Sequence, residues 1–209
     1  MTKLSGCAIL CVAAWAPASE LVVRDLVVGI SAPPSGFAYE VTDSTGTRSG
    51  QDAFDTVGGL SLGLTWSFAG PGRSTGLVVG GQLVGERGAV AGGGVWQGLG
   101  ADLSLGYGWA ITDRLILVPQ LVAGPRKHRL SVDGTAVSGF AVQGLGRQYG
   151  ARLALTYALA DRLVGGLECG WRTGNATLTG DRELVFEQRG VTVGLVFGWH
   201  FSATPVGLE

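Results

Sequence analysis

Hydrophobic positions along this chain recur at every second residue, in runs of nine to twelve. In "LSLGLTWSF", Leu60, Leu62, Leu64, Trp66 and Phe68 alternate with Ser61, Gly63, Thr65 and Ser67. In "GLGADLSLGYGW", Leu99, Ala101, Leu103, Leu105, Tyr107 and Trp109 alternate with glycines, Asp102 and Ser104. The runs around Ala151 to Leu159, Leu163 to Arg172 and Thr192 to Phe201 read the same way. A period of two is that of a strand with two unlike faces, here one large and apolar, the other small or polar. Weaker runs lie at 76 to 86 and at 115 to 124, where Pro119 falls on the apolar face, a position that a central strand disfavours. The stretch Leu21 to Ile30 is expected to be a first strand, although it alternates poorly.

The connections fall into two kinds. Those after Phe68, Ala110 and Leu159 are short, whereas those near 31 to 52, 87 to 95, 126 to 147 and 173 to 190 are long. They alternate in strict order. That is the signature of an up-and-down meander, with tight turns at one end and long loops at the other. The expected fold is all-β, an eight-stranded antiparallel up-and-down transmembrane β-barrel.

This layout resembles the small outer-membrane barrels of the OmpA and OmpX type, with about ten residues per strand, short periplasmic turns and longer external loops. Its most specific piece is "TVGLVFGWHF", where Thr192, Gly194, Phe197 and Trp199 match the polar-x-Gly-x-x-aromatic-x-aromatic pattern of a terminal strand. The resemblance implies recognition by the barrel-assembly machinery, contact with outer-membrane lipid and lipopolysaccharide, and a monomer in the bacterial outer membrane. In one respect the chain departs from the family: "SATPVGLE" continues past Phe201, where such a signal usually ends.

Composition fits this picture. Among 209 residues there are 37 glycines, no collagen period, and 46% hydrophobic residues, which excludes the usual disordered reading. The formal net charge is -1, and no basic patch argues for nucleic acid. Residues 1 to 18 carry Lys3, an apolar run and a small-x-small ending at Ala16 and Ala18, and are expected to be a signal peptide, leaving 19 to 209 as the barrel domain. "LSGC" at Cys7 resembles a lipoprotein box but lacks the apolar run that should precede it. Removal of Cys7 and Cys11 would leave Cys169, expected to face lipid, and no internal disulfide.

An eight-stranded barrel has room inside only for side chains, so the small face belongs there. Inner glycines, Gly63, Gly100, Gly170 and Gly194 among them, leave space for Asp102, Arg152, Glu168, Arg172, Gln82 and Gln120. A tight turn at 159 to 163 places Arg152 opposite about residue 170, with Glu168 and Arg172 as diagonal neighbours, and an Arg152–Glu168 ion pair is expected. Unpaired buried charges are costly, so the network is expected to plug the barrel rather than open it. Trp66, Phe68, Tyr107, Trp109, Tyr157 and Phe201, with Trp199, gather at the short-turn end as a periplasmic girdle.

Enzymatic chemistry is not expected. His128 and Ser131, with Asp133 nearby, fall on opposite faces of a strand and read as solvated loop residues. His200 would point into the periplasmic mouth, and two histidines without a cysteine cluster offer no metal site or cofactor. "NAT" at 175 to 177 and "GGG" at 92 to 94 read as loop. The expected role is a non-enzymatic surface protein whose loops serve adhesion, envelope stabilisation or resistance. The alternatives are a narrow small-solute channel and a secreted soluble lipid-binding barrel.

Overall fold

The computed structural model describes residues 22–68, 76–90, 93–132 and 139–201. Nine strands follow one another: β1 (Val22–Ala32), β2 (Gly36–Asp43), β3 (Gly46–Phe68), β4 (Gly76–Val90), β5 (Gly94–Ala110), β6 (Leu115–Val132), β7 (Phe140–Ala160), β8 (Leu163–Gly180) and β9 (Glu183–His200). All pairings are antiparallel, and the sheet closes on itself. Both β1 and β2 lie between β3 and β9: β1 pairs the lower halves of those strands, Gly59 to Ser67 and Val193 to His200, while β2 pairs the upper halves. They therefore occupy one position in the ring, which gives an eight-stranded barrel from nine strands.

The interruption has a local cause. Pro33 and Pro34 have no N–H to give a ladder and are buried where β1 ends. Gln188 closes the gap by donating from Nε2 to the Pro34 carbonyl at 2.6 Å. Opposite, Gly190 has φ +149, and a Cβ there would lie 3.1 Å from Pro34 Cβ. At the β2–β3 hairpin, Asp43 accepts from Thr45 N at 2.8 Å and from Thr45 Oγ1 at 2.5 Å. The Thr45 hydroxyl and amide hold the Asp43 carboxyl below its ordinary range.

Followed across the ladders from Leu26 through Leu103, the ring reaches β9 at Arg189, ten residues before Trp199, the partner of Leu26 across the closing seam. Eight strands with that stagger tilt by roughly 40° from the barrel axis. Each residue then rises about 2.5 Å, so about ten residues cross a hydrocarbon layer of about 25 Å. The strands are far longer, up to 23 residues in β3.

The long connections expected at 31 to 52, 87 to 95, 126 to 147 and 173 to 190 are therefore largely strand. Their described turns are short: Asp43 to Gly46, and Gly180 to Glu183. Asn175 and Thr177 likewise lie on β8, not in a loop, and Gly94 begins β5. The reason is visible in β9. Outward residues run Glu183, Val185, Glu187 and Arg189, then Val191, Val193, Leu195, Phe197 and Trp199; inward residues run Leu184, Phe186 and Gln188, then Gly190 to Gly198 in steps of two. The alternation never breaks, but its chemistry reverses near residue 190. Above the lipid the outside meets water and the inside becomes a core.

That core joins Phe37, Phe54, Trp96, Leu130, Val142, Ala176, Leu178, Leu184 and Phe186 into one buried cluster. Its rings touch: Phe37 and Phe54 lie 4.7 Å apart, Phe54 and Trp96 4.9 Å, and Phe37 and Phe186 5.4 Å. Pro119 does lie within a strand. Both it and Pro125 face outward on β6, and the β5–β6 ladder skips at each of them while the β6–β7 ladder runs unbroken. The missing N–H groups thus fall on one seam.

Candidate functional site: the filled lumen and the outer belt

From the periplasmic mouth upward, the lumen is packed in layers. At the mouth, Asp25 accepts from Thr65 Oγ1 at 3.1 Å, lies 2.8 Å from His200 Nδ1, and pairs with Arg24 Nε at 3.2 Å. Above it, Val78, Val118 and Ala154 form a small apolar cluster. Next, Arg152 donates to Glu168 Oε2 at 3.0 Å, to Gln120 Oε1 at 2.6 and 3.1 Å, and to Gln82 Oε1 at 3.3 Å. The β7–β8 register sets Arg152 opposite Gly170.

One layer higher, Arg126 Nη2 lies 2.9 Å from Asp102 Oδ2, with both side chains almost wholly buried. Gln148 donates to Asp102 and accepts from Arg126 Nε at 3.0 Å, and Gln82 also donates to Asp102 at 3.3 Å. The fit requires glycine beside it: a Cβ on Gly100 would fall 2.9 Å from Arg126 Cδ and 2.1 Å from the Pro125 carbonyl oxygen. Highest among the polar layers, Arg172 pairs with Glu86 and donates to Gln188 at 3.2 Å. The aromatic cluster closes the top.

Sequence reasoning placed Asp102, Arg152, Glu168, Arg172, Gln82 and Gln120 in the lumen, and the structure puts all six there. The register sets Glu168 and Arg172 diagonally beside Arg152 as expected, and the Arg172 guanidinium reaches across the lumen to Glu86. Sequence reasoning missed Glu86, Arg126, Gln148, Gln188 and Asp25. The signal was parity, because Arg126 stands two residues beyond Gly124 and six beyond Gln120 on one face of β6.

His128 corrects the loop assignment. It lies on β6, is buried at 5% exposure, and stacks on Trp96 with centroids 5.7 Å apart. Among the described residues, neither His128 Nδ1 nor Trp96 Nε1 has a hydrogen-bond partner. Ser131 faces away from His128 by strand parity, and Asp133 lies outside the described residues. Among the described residues, His128 is therefore paired with no nucleophile. Among the described residues no group of His, Cys, Asp and Glu could hold a metal ion.

Around the outside runs a belt of exposed apolar residues, including Ile30, Leu62, Leu83, Leu103, Leu121, Leu153, Leu167 and Leu195. A soluble surface does not carry a continuous apolar band encircling the molecule, so this belt is built for lipid. Tyr107, Trp109, Tyr157, Trp199 and Phe201 are exposed at its lower rim, and Trp66 is half-buried there. Phe68 ends β3, and its side chain lies outside what is described. Tyr149 and Trp171 mark the upper rim. Cys169 is exposed on the belt. On β9, Thr192 and Gly194 point inward, and Phe197 and Trp199 outward. The expected signal peptide at 1 to 18, Cys7, Cys11 and the tail after Phe201 lie outside the described residues.

No protein-family model and no curated protein matches the chain. The leading solved structures similar to it are bacterial outer-membrane barrels. Ail, the attachment invasion locus protein of Yersinia pestis, aligns at 16% identity and TM-score 0.43, over 86% of this chain and 100% of that one. Neisserial surface protein A aligns at 15% identity and TM-score 0.39, over 82% and 95%. The outer membrane protease OmpT from Escherichia coli aligns at 11% identity and TM-score 0.47, over 87% and 98%. What establishes the barrel is the closed ladder itself. The chain is an eight-stranded antiparallel up-and-down barrel.

Proposed function

We propose that this protein is a sealed, non-enzymatic barrel of the bacterial outer membrane, exported by its N-terminal signal, that holds a rigid crown of strand above the lipid. In this reading the crown, rather than mobile loops, is the working surface for adhesion, envelope stabilisation or resistance. The observation that carries it is the filled lumen: bonded polar layers span the membrane section, and an aromatic core closes the top. Thr192, Gly194, Phe197 and Trp199 would serve barrel assembly, and the aromatic rims would fix a monomer at its depth in the bilayer.

A second reading is a narrow channel. Two cavities, of about 60 and 80 Å³, are both lined by Gln82, Arg152 and Glu168. A shift of that one layer would join them. A soluble lipid carrier is disfavoured, because the apolar belt lies outside and cavities of about 60 and 80 Å³ are too small to enclose an acyl chain.

Two measurements on the membrane-extracted protein decide among these. A heat-dependent gel-mobility shift together with silence in planar bilayers supports the sealed barrel. Steady single-channel currents would favour the channel, and partition into the aqueous phase without detergent would remove the membrane reading.

A further inference from the structure

Every charged side chain bonded in the lumen has a counter-charge or an amide partner, but a set of cations on the outside does not. Arg87 on β4, Lys127 and Arg129 on β6, and Arg147 on β7 are exposed. None of them has an ion pair or hydrogen bond among the described residues. The ladders place them together. Arg87, Gln97, Arg129 and Gln143 form one row across β4 to β7, with Leu99, Lys127 and Leu145 in the row below and Arg147 opposite Pro125 beneath that. With strands about 4.8 Å apart and alternate residues about 6.7 Å apart, Lys127, Arg129 and Arg147 lie within roughly 14 Å of one another, and Arg87 extends the patch to roughly 20 Å.

Position and surroundings say what the patch meets. The cations stand just above Tyr149 and the lipid-facing leucines, where hydrocarbon gives way to headgroups. On β4 to β7 no outward-facing described residue is acidic, whereas the opposite side carries outward Glu40, Glu183 and Glu187. Leu99 and Leu145, 67% and 72% exposed, flank Lys127 in one ladder row, so apolar and cationic groups interleave there. Guanidinium groups bind phosphate oxygens in a fork, and ammonium groups bind them as point charges.

We infer that the outer face of β4 to β7 binds the phosphorylated headgroup of a multiply acylated glycolipid of the outer leaflet, its phosphates on Lys127, Arg129, Arg147 and Arg87 and its acyl chains over Leu99, Leu103 and Leu121. This rests on the outer-membrane reading above and gives the glycolipid expected in that leaflet a defined place on the barrel.

The experiment titrates the detergent-extracted full chain with bisphosphorylated lipid A, and in parallel with its dephosphorylated form and with inorganic phosphate. The combined variant Lys127→Gln, Arg129→Gln, Arg147→Gln is expected to keep the heat-dependent gel shift while binding bisphosphorylated lipid A at least about tenfold more weakly. Arg87→Gln at the edge of the patch should weaken binding in the same direction by less, and Arg189→Gln on β9 should leave it unchanged. Equal binding by the combined variant, or equal binding of the dephosphorylated lipid, would overturn the site. Inorganic phosphate saturating it as tightly as the lipid would overturn the lipid as its occupant. If the unsubstituted chain shows no gel shift, the membrane barrel itself fails, whatever the titration gives.

Discussion

The lower and upper halves of β9 follow one alternation and obey opposite rules. Below residue 190, Val191 to Trp199 point out and are apolar, while Thr192 and the glycines point in; above it, Glu183, Glu187 and Arg189 point out, while Leu184 and Phe186 point in. Strand geometry is the same in both halves, so the difference is the solvent. Where lipid surrounds the barrel, the outside must be apolar, and the interior can hold charge only if every charge is bonded. Where water surrounds it, the same closed sheet becomes a soluble core turned the usual way. β8 repeats the change, with Glu168 and Arg172 inward below, and Ala176 and Leu178 inward above.

Substitutions separate the two regimes, and the largest effects belong to the interiors. Phe186→Ala in the crown removes a ring that touches Phe37, Trp96 and His128, and should cost about 3 to 5 kcal/mol in denaturant unfolding from lipid vesicles. In the membrane section, Arg126→Ala strands Asp102 at 3% exposure and should cost a comparable amount, about 3 to 5 kcal/mol, for an electrostatic rather than a packing reason. The outer faces differ more sharply. Leu103→Arg on the belt should cost about 2 to 4 kcal/mol, whereas Val185→Arg on the crown should stay within about 0.5 kcal/mol. Equal costs at those two sites would break the comparison. Among the interior changes, the smallest effect is expected of Glu168→Ala, at about 1 to 3 kcal/mol, because Arg152 keeps its bonds to Gln120 and Gln82. Raised conductance in that variant without any loss of stability would count against the plug.

How much of this was legible in the sequence follows from the same reversal. The lipid section could be read, since Leu60 to Phe68 or Leu99 to Trp109 show large apolar residues against glycine, and the inward set followed by parity alone. The crown could not be read in that way, because its outward residues are charged and "RKHRL" at 126 to 130 looks like a basic loop. Parity carries through it nonetheless: Arg126, His128 and Leu130 continue the inward face of Gln120, and Lys127 and Arg129 the outward face of Leu121. Reading the period without demanding an apolar outside would have recovered Trp96, His128 and Phe186 as core. Partners were the harder part. Arg172 reaches Glu86 across the barrel, on a strand 86 residues away in sequence, and that pairing depends on closure and stagger, which no local pattern encodes.

The central claim is that one uninterrupted strand changes solvent near residue 190. It is tested most directly by placing single cysteines at the outward positions 183, 185, 187, 189, 191, 193, 195 and 197 of β9 in a Cys169→Ser background, then labelling whole cells with a membrane-impermeant thiol reagent. Rapid labelling from 183 to 189 and protection from 191 to 197 is the predicted result. Labelling that continues without a break down to 197 would mean that water surrounds the whole barrel, and would contradict the account.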